Sequence, residues 1–287
     1  MFKITGTQAP IENQLLSSLS SEDRGRLRPT VQHLALGEVV YESGGRLDYV
    51  YFPTTAVVSC LYTMQDGSTA EMALAGNDGV VGVSSFLGSD SAPHRAVVQV
   101  AGDALKVHAR VLQEEFSRGS ILQRTLLRYT HALITQISQT AVCNRLHSMD
   151  QRLCRWLLLC HDRVNRSEIM MTQEYIANML GGRRESVTVA AGRLQDAGLI
   201  HYSRGQIKIL DRNGLEAVVC ECYRIVEDDL ERLNLGARKS PAEKPAQKLS
   251  KLVEVIRSGH KNVLMNLYLC AFWDAWDTKN DYWNFWA

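Results

Sequence analysis

The sequence has almost no net charge: 32 Lys and Arg against 31 Asp and Glu leave +1 over 287 residues. The molecule as a whole is therefore not an electrostatic adhesive for nucleic acid or membrane, and any anion-binding surface must be local. Long hydrophobic runs are missing too, since no window approaches the roughly 18 apolar residues that suggest a membrane span. The opening stretch, MFKITGTQAPIENQLLSSLS, lacks the apolar core of a signal peptide. Seven cysteines, an odd number scattered along the chain, do not make a disulfide framework and point to a reducing cytosol. The expected location is the cytoplasm, with no membrane partner. The chain has no Gly-x-Ser-x-Gly turn, no Gly-x-x-x-x-Gly-Lys loop and no His-x-His pair. Without such a pair, His33, His94 and His108 are too widely separated for a cupin-like metal enzyme. The sequence reads as a non-enzyme, with a metal-dependent enzyme the most distant alternative.

What is present is a soluble globular composition, 45% hydrophobic and 22% charged, long enough for two domains with substantial cores. Residues from about 30 to 110 read as β-structure. Short apolar runs recur at 38–41, 49–52, 56–62 and 96–100. Turn signals separate them at Ser43-Gly44-Gly45, Asp66-Gly67-Ser68, Gly76-Asn77-Asp78-Gly79 and Gly102-Asp103. Many short strands with a turn about every ten residues predict an antiparallel sandwich or barrel.

The pattern changes near residue 110. No proline occurs from Gln113 to Asn144, and Leu122, Leu126, Tyr129, Leu133, Ile137 and Ala141 fall at helical spacing. This predicts one long helix, either lying on the barrel or forming a dimer seam. Its length favours the seam, although Tyr129 and Ala141 make an imperfect coiled coil. A second helix is expected from Asp150 to Arg163. Farther on, Gly236 to Lys248 reads as a linker. Four of the five tryptophans, Trp273, Trp276, Trp283 and Trp286, crowd the end. They fit an aromatic patch docking on a partner, a patch on the protein body, or an appended end without a role. A protein-interaction or adaptor module built on that tail is the alternative function.

The most informative stretch is TQEYIANMLGGRRESVTVAAGRLQDAGLI, Thr172 to Ile200. Thr172 caps a first helix with Ile176 and Leu180 inward, and Gly181-Gly182 permit a tight turn. In the second helix Val187, Ala190, Ala191 and Leu194 lie at i, i+3, i+4 and i+7 and pack inward. Glu185, Thr188 and Val189 lie opposite, and Arg184 can reach past the tip. Ile200 to Leu210 then holds two strand-like runs around Ser203-Arg204-Gly205-Gln206, a small hairpin. Helix, helix, helix, hairpin is the order of a winged helix-turn-helix. An arginine can donate two hydrogen bonds to guanine, and an acid can accept from cytosine N4. Ser186 and Thr188 suit phosphates or base edges. Arg183, Arg193, Arg204, Lys208 and Arg212 would add sequence-independent attraction. The plain alternative is a solvated charged face, but the glycine turn and basic hairpin favour double-stranded DNA.

Residues Thr172 to Asp211 resemble the DNA-binding domain of the cyclic-AMP receptor protein/FNR (Crp/Fnr) family of bacterial transcription regulators. LGEVVYESG (36–44), YVYFPTTAVVS (49–59) and the turn at Asp66-Gly67 are similar to that family's sensor barrel. The resemblance covers roughly residues 12 to 235. It implies an α+β chain with a cyclic-nucleotide-binding-like β jelly-roll barrel (12–115), a long dimerisation helix (116–147) and a C-terminal winged helix-turn-helix (148–235). A linker and Trp-rich tail (236–287) follow. It further implies a homodimer on a near-palindromic site, with RNA polymerase as a partner. Family base contacts carry over to Arg184 and Glu185, supported by Ser186 and Thr188, with Thr172 at the neighbouring helix tip. Val189 stands where members often have another arginine, so that base contact is either missing or replaced by an apolar contact to a thymine methyl. The usual Ser or Thr cap is Arg183.

The same resemblance places an effector pocket at Gly76 to Val100. Cyclic-nucleotide binders of the family carry a Gly-Glu pair for the ribose and an arginine for the cyclic phosphate. Here Gly82 is followed by Val83 and Ser84, so the carboxylate is absent. His94 takes the arginine's position, and Arg95 is displaced by one residue, which on a strand turns it to the other face. Cyclic-AMP recognition in its usual form is not expected, although a one-residue loop adjustment would restore the arginine. An iron–sulfur cluster is not expected either, because the first cysteine is Cys60. Cys220-x-Cys222 alone is too sparse for a metal site and reads as structural. Nothing selects haem, and the effector is left open.

Overall fold

The structure, a computed structural model, describes residues 12–164 and 168–232. The expected linker and Trp-rich tail lie outside the described residues.

Two short helices lead in, α1 (Gln14–Ser17) and α2 (Ser21–Leu27). The Asn13 side chain accepts from the amides of Leu15 and Leu16, and Ser20 accepts from that of Asp23, so both helix starts are capped. Asn13 is itself fully buried and donates to the carbonyls of Pro53 and Gly79 at 2.9 and 2.8 Å. That pins the lead-in to the barrel.

Seven strands follow: β1 (Thr30–Leu34), β2 (Val39–Tyr41), β3 (Tyr49–Pro53), β4 (Val57–Thr63), β5 (Thr69–Ala75), β6 (Arg95–Val100) and β7 (Gly102–His108). They form two antiparallel sheets, ordered β1-β7-β3 and β2-β6-β4-β5. Strand β4 is buried without alternation from Val57 to Leu61 because both of its faces are covered there. Val58, with Ala96 and Val98 of β6, packs inside the barrel, whereas Leu61 and Val97 face the helical half of the molecule. Strands β1, β5 and β7 were not among the runs expected from sequence, since Thr, Gln, Glu and Asp interrupt their apolar positions. Gly102 is not a turn residue but opens β7. A Cβ there would lie 2.5 Å from the backbone carbon of Thr55, so close strand approach demands the glycine.

The long helix expected over 116–147 is present as Ile121–Leu146, and a separate shorter helix precedes it. Helix α3 (Ala109–Ser117) ends at Arg118, Gly119 takes a left-handed φ of 72°, and α4 (Ile121–Leu146) begins after Ser120. The proposed seam is redistributed. Leu122, Leu126 and Tyr129 are buried against the body of the protein, and Leu133 packs partly onto it, while Ala141 is exposed. A different stripe, Leu127, Ile134 and Ala141, repeats every seven residues on the open face.

Helix α5 (Met149–Arg163) starts in a full capping box formed by Ser148 and Gln151. Then come β8 (Glu168–Met170), α6 (Gln173–Met179), α7 (Arg184–Asp196), β9 (Ile200–Ser203), β10 (Gln206–Ile209), α8 (Arg212–Val218) and α9 (Glu221–Arg232). The small sheet is ordered β8-β10-β9, so the expected hairpin has a third strand. Helix α9 lies against α4, where His131 Nδ1 sits 3.2 Å from an Asp229 carboxylate. The β2-β6-β4-β5 sheet meets the helical half through a buried polar cluster. Gln99 donates to the Ser59 hydroxyl at 2.7 Å, Ser59 bonds Glu71, and Gln99 also reaches the sulfur of Met179 in α6 at 2.9 Å.

Candidate nucleic-acid interface

Helix α6 is capped by Thr172, whose Oγ1 accepts from the Tyr175 amide at 3.2 Å. At its far end the Gly182 amide donates to the Ala177 carbonyl and the Gly181 amide to that of Asn178, with Gly181 at φ 58°. This pair of bonds, closed by a left-handed glycine, is a Schellman ending, and it turns the chain sharply into α7. Arg183 occupies the cap position of α7 and makes no side-chain cap bond, so the first amides of that helix stay open.

Val187, Ala190, Ala191 and Leu194 anchor α7, each no more than 3% exposed. Arg183, Arg184, Glu185, Ser186, Thr188 and Val189 are all exposed, as the helical spacing requires. Among the described residues Arg183, Arg184 and Arg204 form no ion pair. Arg204 lies at the hairpin tip with φ 50°, followed by Gly205 at φ 78°, a two-residue turn with both centres left-handed. Thr172, Gln173, Glu174, Arg184, Tyr202, Arg204 and Gly205 line one cleft of about 550 Å³ between α6, the α7 tip and the hairpin.

Other candidates are already engaged. The Thr188 hydroxyl lies 2.8 Å from Gln173 Oε1 and 3.0 Å from the Arg184 carbonyl, so it ties the two helices together. Arg193 pairs with Asp150 at 3.0 Å, and Lys208 lies 3.4 Å from Glu168. Arg212, expected among the DNA-attracting cations, instead sits in a partly buried cluster with Asp162 and Glu216 at 2.7 and 2.8 Å. Its charge serves packing between α5 and α8. Burial also pushes the Tyr202 phenol up, and its hydroxyl donates to the Met171 carbonyl at 2.9 Å, bracing the hairpin.

The proposed effector residues lie near one another in the barrel. Gly82, at φ 105°, opens a 3-10 turn (Val83–Phe86) containing Val83 and Ser84, and a Cβ on Gly82 would meet Val50 at 2.6 Å. His94 is flanked by the rings of Tyr41 and Tyr62, at 6.1 and 5.9 Å. Burial lowers the His94 imidazole. Tyr41 also reaches the Gly82 backbone, so its phenol stands between the two halves of the expected pocket. Arg95 pairs with Glu42 at 3.1 Å. His33, by contrast, pairs with Asp103, and His108 caps α3; with His94 they form no metal-ligand group among the described residues.

One cluster escaped sequence reasoning. Cys143, His147, Cys220 and Cys222 converge, with their ligand atoms all within 4.8 Å of one another. The Cys-x-Cys spacing was visible, but its partners come from about 75 residues upstream.

Residues 151–218 match the family model of the Crp-like helix-turn-helix domain. A global nitrogen regulator of Synechococcus elongatus is 22% identical over 209 residues, spanning 70% of this chain and 94% of the relative. Among solved structures, a crp/fnr-family transcriptional regulator from Eubacterium rectale superposes with a TM-score of 0.55 at 19% identity, over 72% of this chain and 99% of its own. FixK2 from Bradyrhizobium japonicum gives 0.55 at 19% identity, over 67% and 98%. A β-rich N-terminal domain, a long helix and a winged helix-turn-helix together define a DNA-binding transcription regulator. The chain carries a Crp-like helix-turn-helix domain and is similar in sequence and fold to Crp/Fnr-family regulators.

Proposed function

We propose that this regulator acts as a cytoplasmic homodimer, without catalysis, and places one copy of α7 in the major groove of each half of a near-palindromic site. The observation that carries this reading is the anchored helix with an open tip: Val187, Ala190, Ala191 and Leu194 buried, Arg184, Glu185 and Ser186 exposed. Arg184 donates to guanine O6 and N7, and Glu185 accepts from cytosine N4. Val189, 51% exposed, meets a thymine methyl. Arg183, Arg204 and the open amides of α7 hold phosphates, with Ser186 and Thr172 beside them. Lys208 joins them by releasing Glu168. Thr188 supports the tip by fixing Gln173. The second copy docks along Leu127, Ile134 and Ala141 of α4, which puts half-sites about 34 Å apart. RNA polymerase is the protein partner that the family suggests.

The sensor barrel is not tuned to cyclic AMP in the usual way. Val83 supplies no carboxylate after Gly82, Arg95 is held by Glu42, and Tyr41 stands beside His94.

Selection of bound genomic fragments, with and without cyclic AMP, followed by titration of a duplex library at two salt concentrations, tests the reading. The expected result is a near-palindromic site whose affinity falls with salt and does not respond to cyclic AMP. Arg184→Ala should cost about 1–3 kcal/mol and relax preference at one base pair. Equal loss on every sequence would demote Arg184 to a phosphate contact. Binding with neither sequence preference nor salt dependence would sink the proposed interface.

A further inference from the structure

Cys143 lies near the end of α4 and His147 caps it, four residues apart on one helix face. Cys220 precedes α9, and Cys222 lies in its first turn. The three cysteines form a small buried cluster of their own, each no more than 3% exposed. The sulfurs of Cys143 and Cys220 are 3.7 Å apart, and Cys222 Sγ is 3.5 Å from His147 Nδ1.

We propose that these four side chains bind one zinc ion. Zinc held at about 2.3 Å from sulfur and about 2.0–2.1 Å from nitrogen sets tetrahedral edges of about 3.8 Å between sulfurs and about 3.6 Å between sulfur and nitrogen. Two edges of the cluster, at 3.7 and 3.5 Å, are already close to those lengths. The remaining separations, none above 4.8 Å, need closing by about an ångström at most. Three sulfurs and one imidazole are a ligand set typical of structural zinc. A multi-iron cluster spreads its cysteines over several metal atoms and does not fit ligand atoms this close together.

The surroundings point the same way. With Nδ1 turned to the sulfurs, the other ring nitrogen of His147 lies 3.4 Å from a Glu221 carboxylate oxygen. A carboxylate behind a ligating histidine fixes its tautomer and raises its basicity. Three thiolates and an imidazole around Zn²⁺ leave a charge of −1. Buried Arg155 lies within electrostatic reach of Cys143 and Cys222, and its Nε has no hydrogen-bond partner among the described residues. On binding, three S–H bonds break and three protons leave to solvent as three Zn–S bonds and one Zn–N bond form. The ion then clamps the corner between α4 and α5 to the start of α9, fixing how the DNA-binding helices leave the long helix.

The full chain, purified under reducing conditions without chelator, should hold about one zinc per molecule by elemental analysis. Stripped and titrated with Co²⁺, it should develop the intense visible bands of tetrahedral thiolate-bound cobalt. Cys222→Ser and His147→Ala should each weaken metal binding at least about tenfold, whereas Cys60→Ala, at a buried thiol elsewhere, should leave it intact. Should those variants fail to fold, the cobalt spectrum of the unaltered chain decides. Zinc-incubated protein that holds no metal, iron with inorganic sulfide in place of zinc, or a Cys143–Cys220 disulfide as the only chemistry would each overturn the proposal. Metal content is read without DNA, so this result stands apart from the DNA-binding reading.

Discussion

Arg163, the last residue of α5, places Nη2 2.7 Å from an Asp78 carboxylate oxygen in the barrel loop after β5. The arginine is almost wholly buried, donates Nη1 to the Leu159 carbonyl at 2.8 Å, and packs its stem on Gly76, where a Cβ would stand 2.5 Å away. A buried ion pair thus joins the sensor barrel to the helix that leads into the DNA-binding domain. Its loss leaves one charge stranded in a low-dielectric site.

Asp78→Ala should therefore destabilise the chain by about 3–5 kcal/mol in denaturant unfolding. Glu114→Ala, which breaks only the exposed pair with Arg110, should change stability by less than about 0.5 kcal/mol. Similar losses in the two variants would show that the Asp78 pair is not buried in solution.

Glu71 gives a pH dependence. Burial pushes its carboxyl from 4.5 up to about 7, against the opposing Ser59 hydrogen bond and the charge of Arg155. Between those values the folded chain keeps a proton that the unfolded chain has lost. The associated stability is full below about 4.5 and disappears as pH rises through about 7, a change on the order of 3 kcal/mol. Glu71→Gln, neutral at every pH, should flatten the unfolding profile across that window. An unchanged slope would place its origin elsewhere.

Gly82→Ala should lower the melting temperature. A φ of 105° is hostile to any side chain, and the added Cβ would lie 2.6 Å from Val50. Gly88→Ala tests the strain alone, because its φ of 94° is equally unusual while no atom lies within 4 Å of the new Cβ. Gly82→Ala should be the more damaging of the two by calorimetry.

Arg204→Ala should weaken DNA binding by a similar factor on every sequence and make the slope of log affinity against log salt shallower by about one. Titrations at four salt concentrations suffice. A sequence-selective loss would move Arg204 from the phosphates to a base edge.

Much of the DNA-binding half was legible because its information is local. The i, i+3, i+4, i+7 set of α7, the paired glycines and the Ser203–Gln206 turn each depend on neighbours a few residues away, and each is where the spacing put it. Strand β8 was missed because three residues carry no periodicity of their own. Helix α4 was legible as a long helix, but what covers its apolar face was not. Apolar spacing shows that a face is buried but not what covers it, and Leu122, Leu126 and Tyr129 are covered by the protein's own body.

The sequence alone determined the classes of element, the charged tip of α7 and the absence of a Gly-Glu pair at Gly82, since these follow from residue type and short-range spacing. Tertiary structure decided which cations were still open, because Arg212 and Lys208 are held by carboxylates from other elements. It also decided that Cys143 and His147 stand beside Cys220 and Cys222. That convergence depends on α9 folding back along α4, and a contact set by chain reversal over about 75 residues leaves no mark on local spacing.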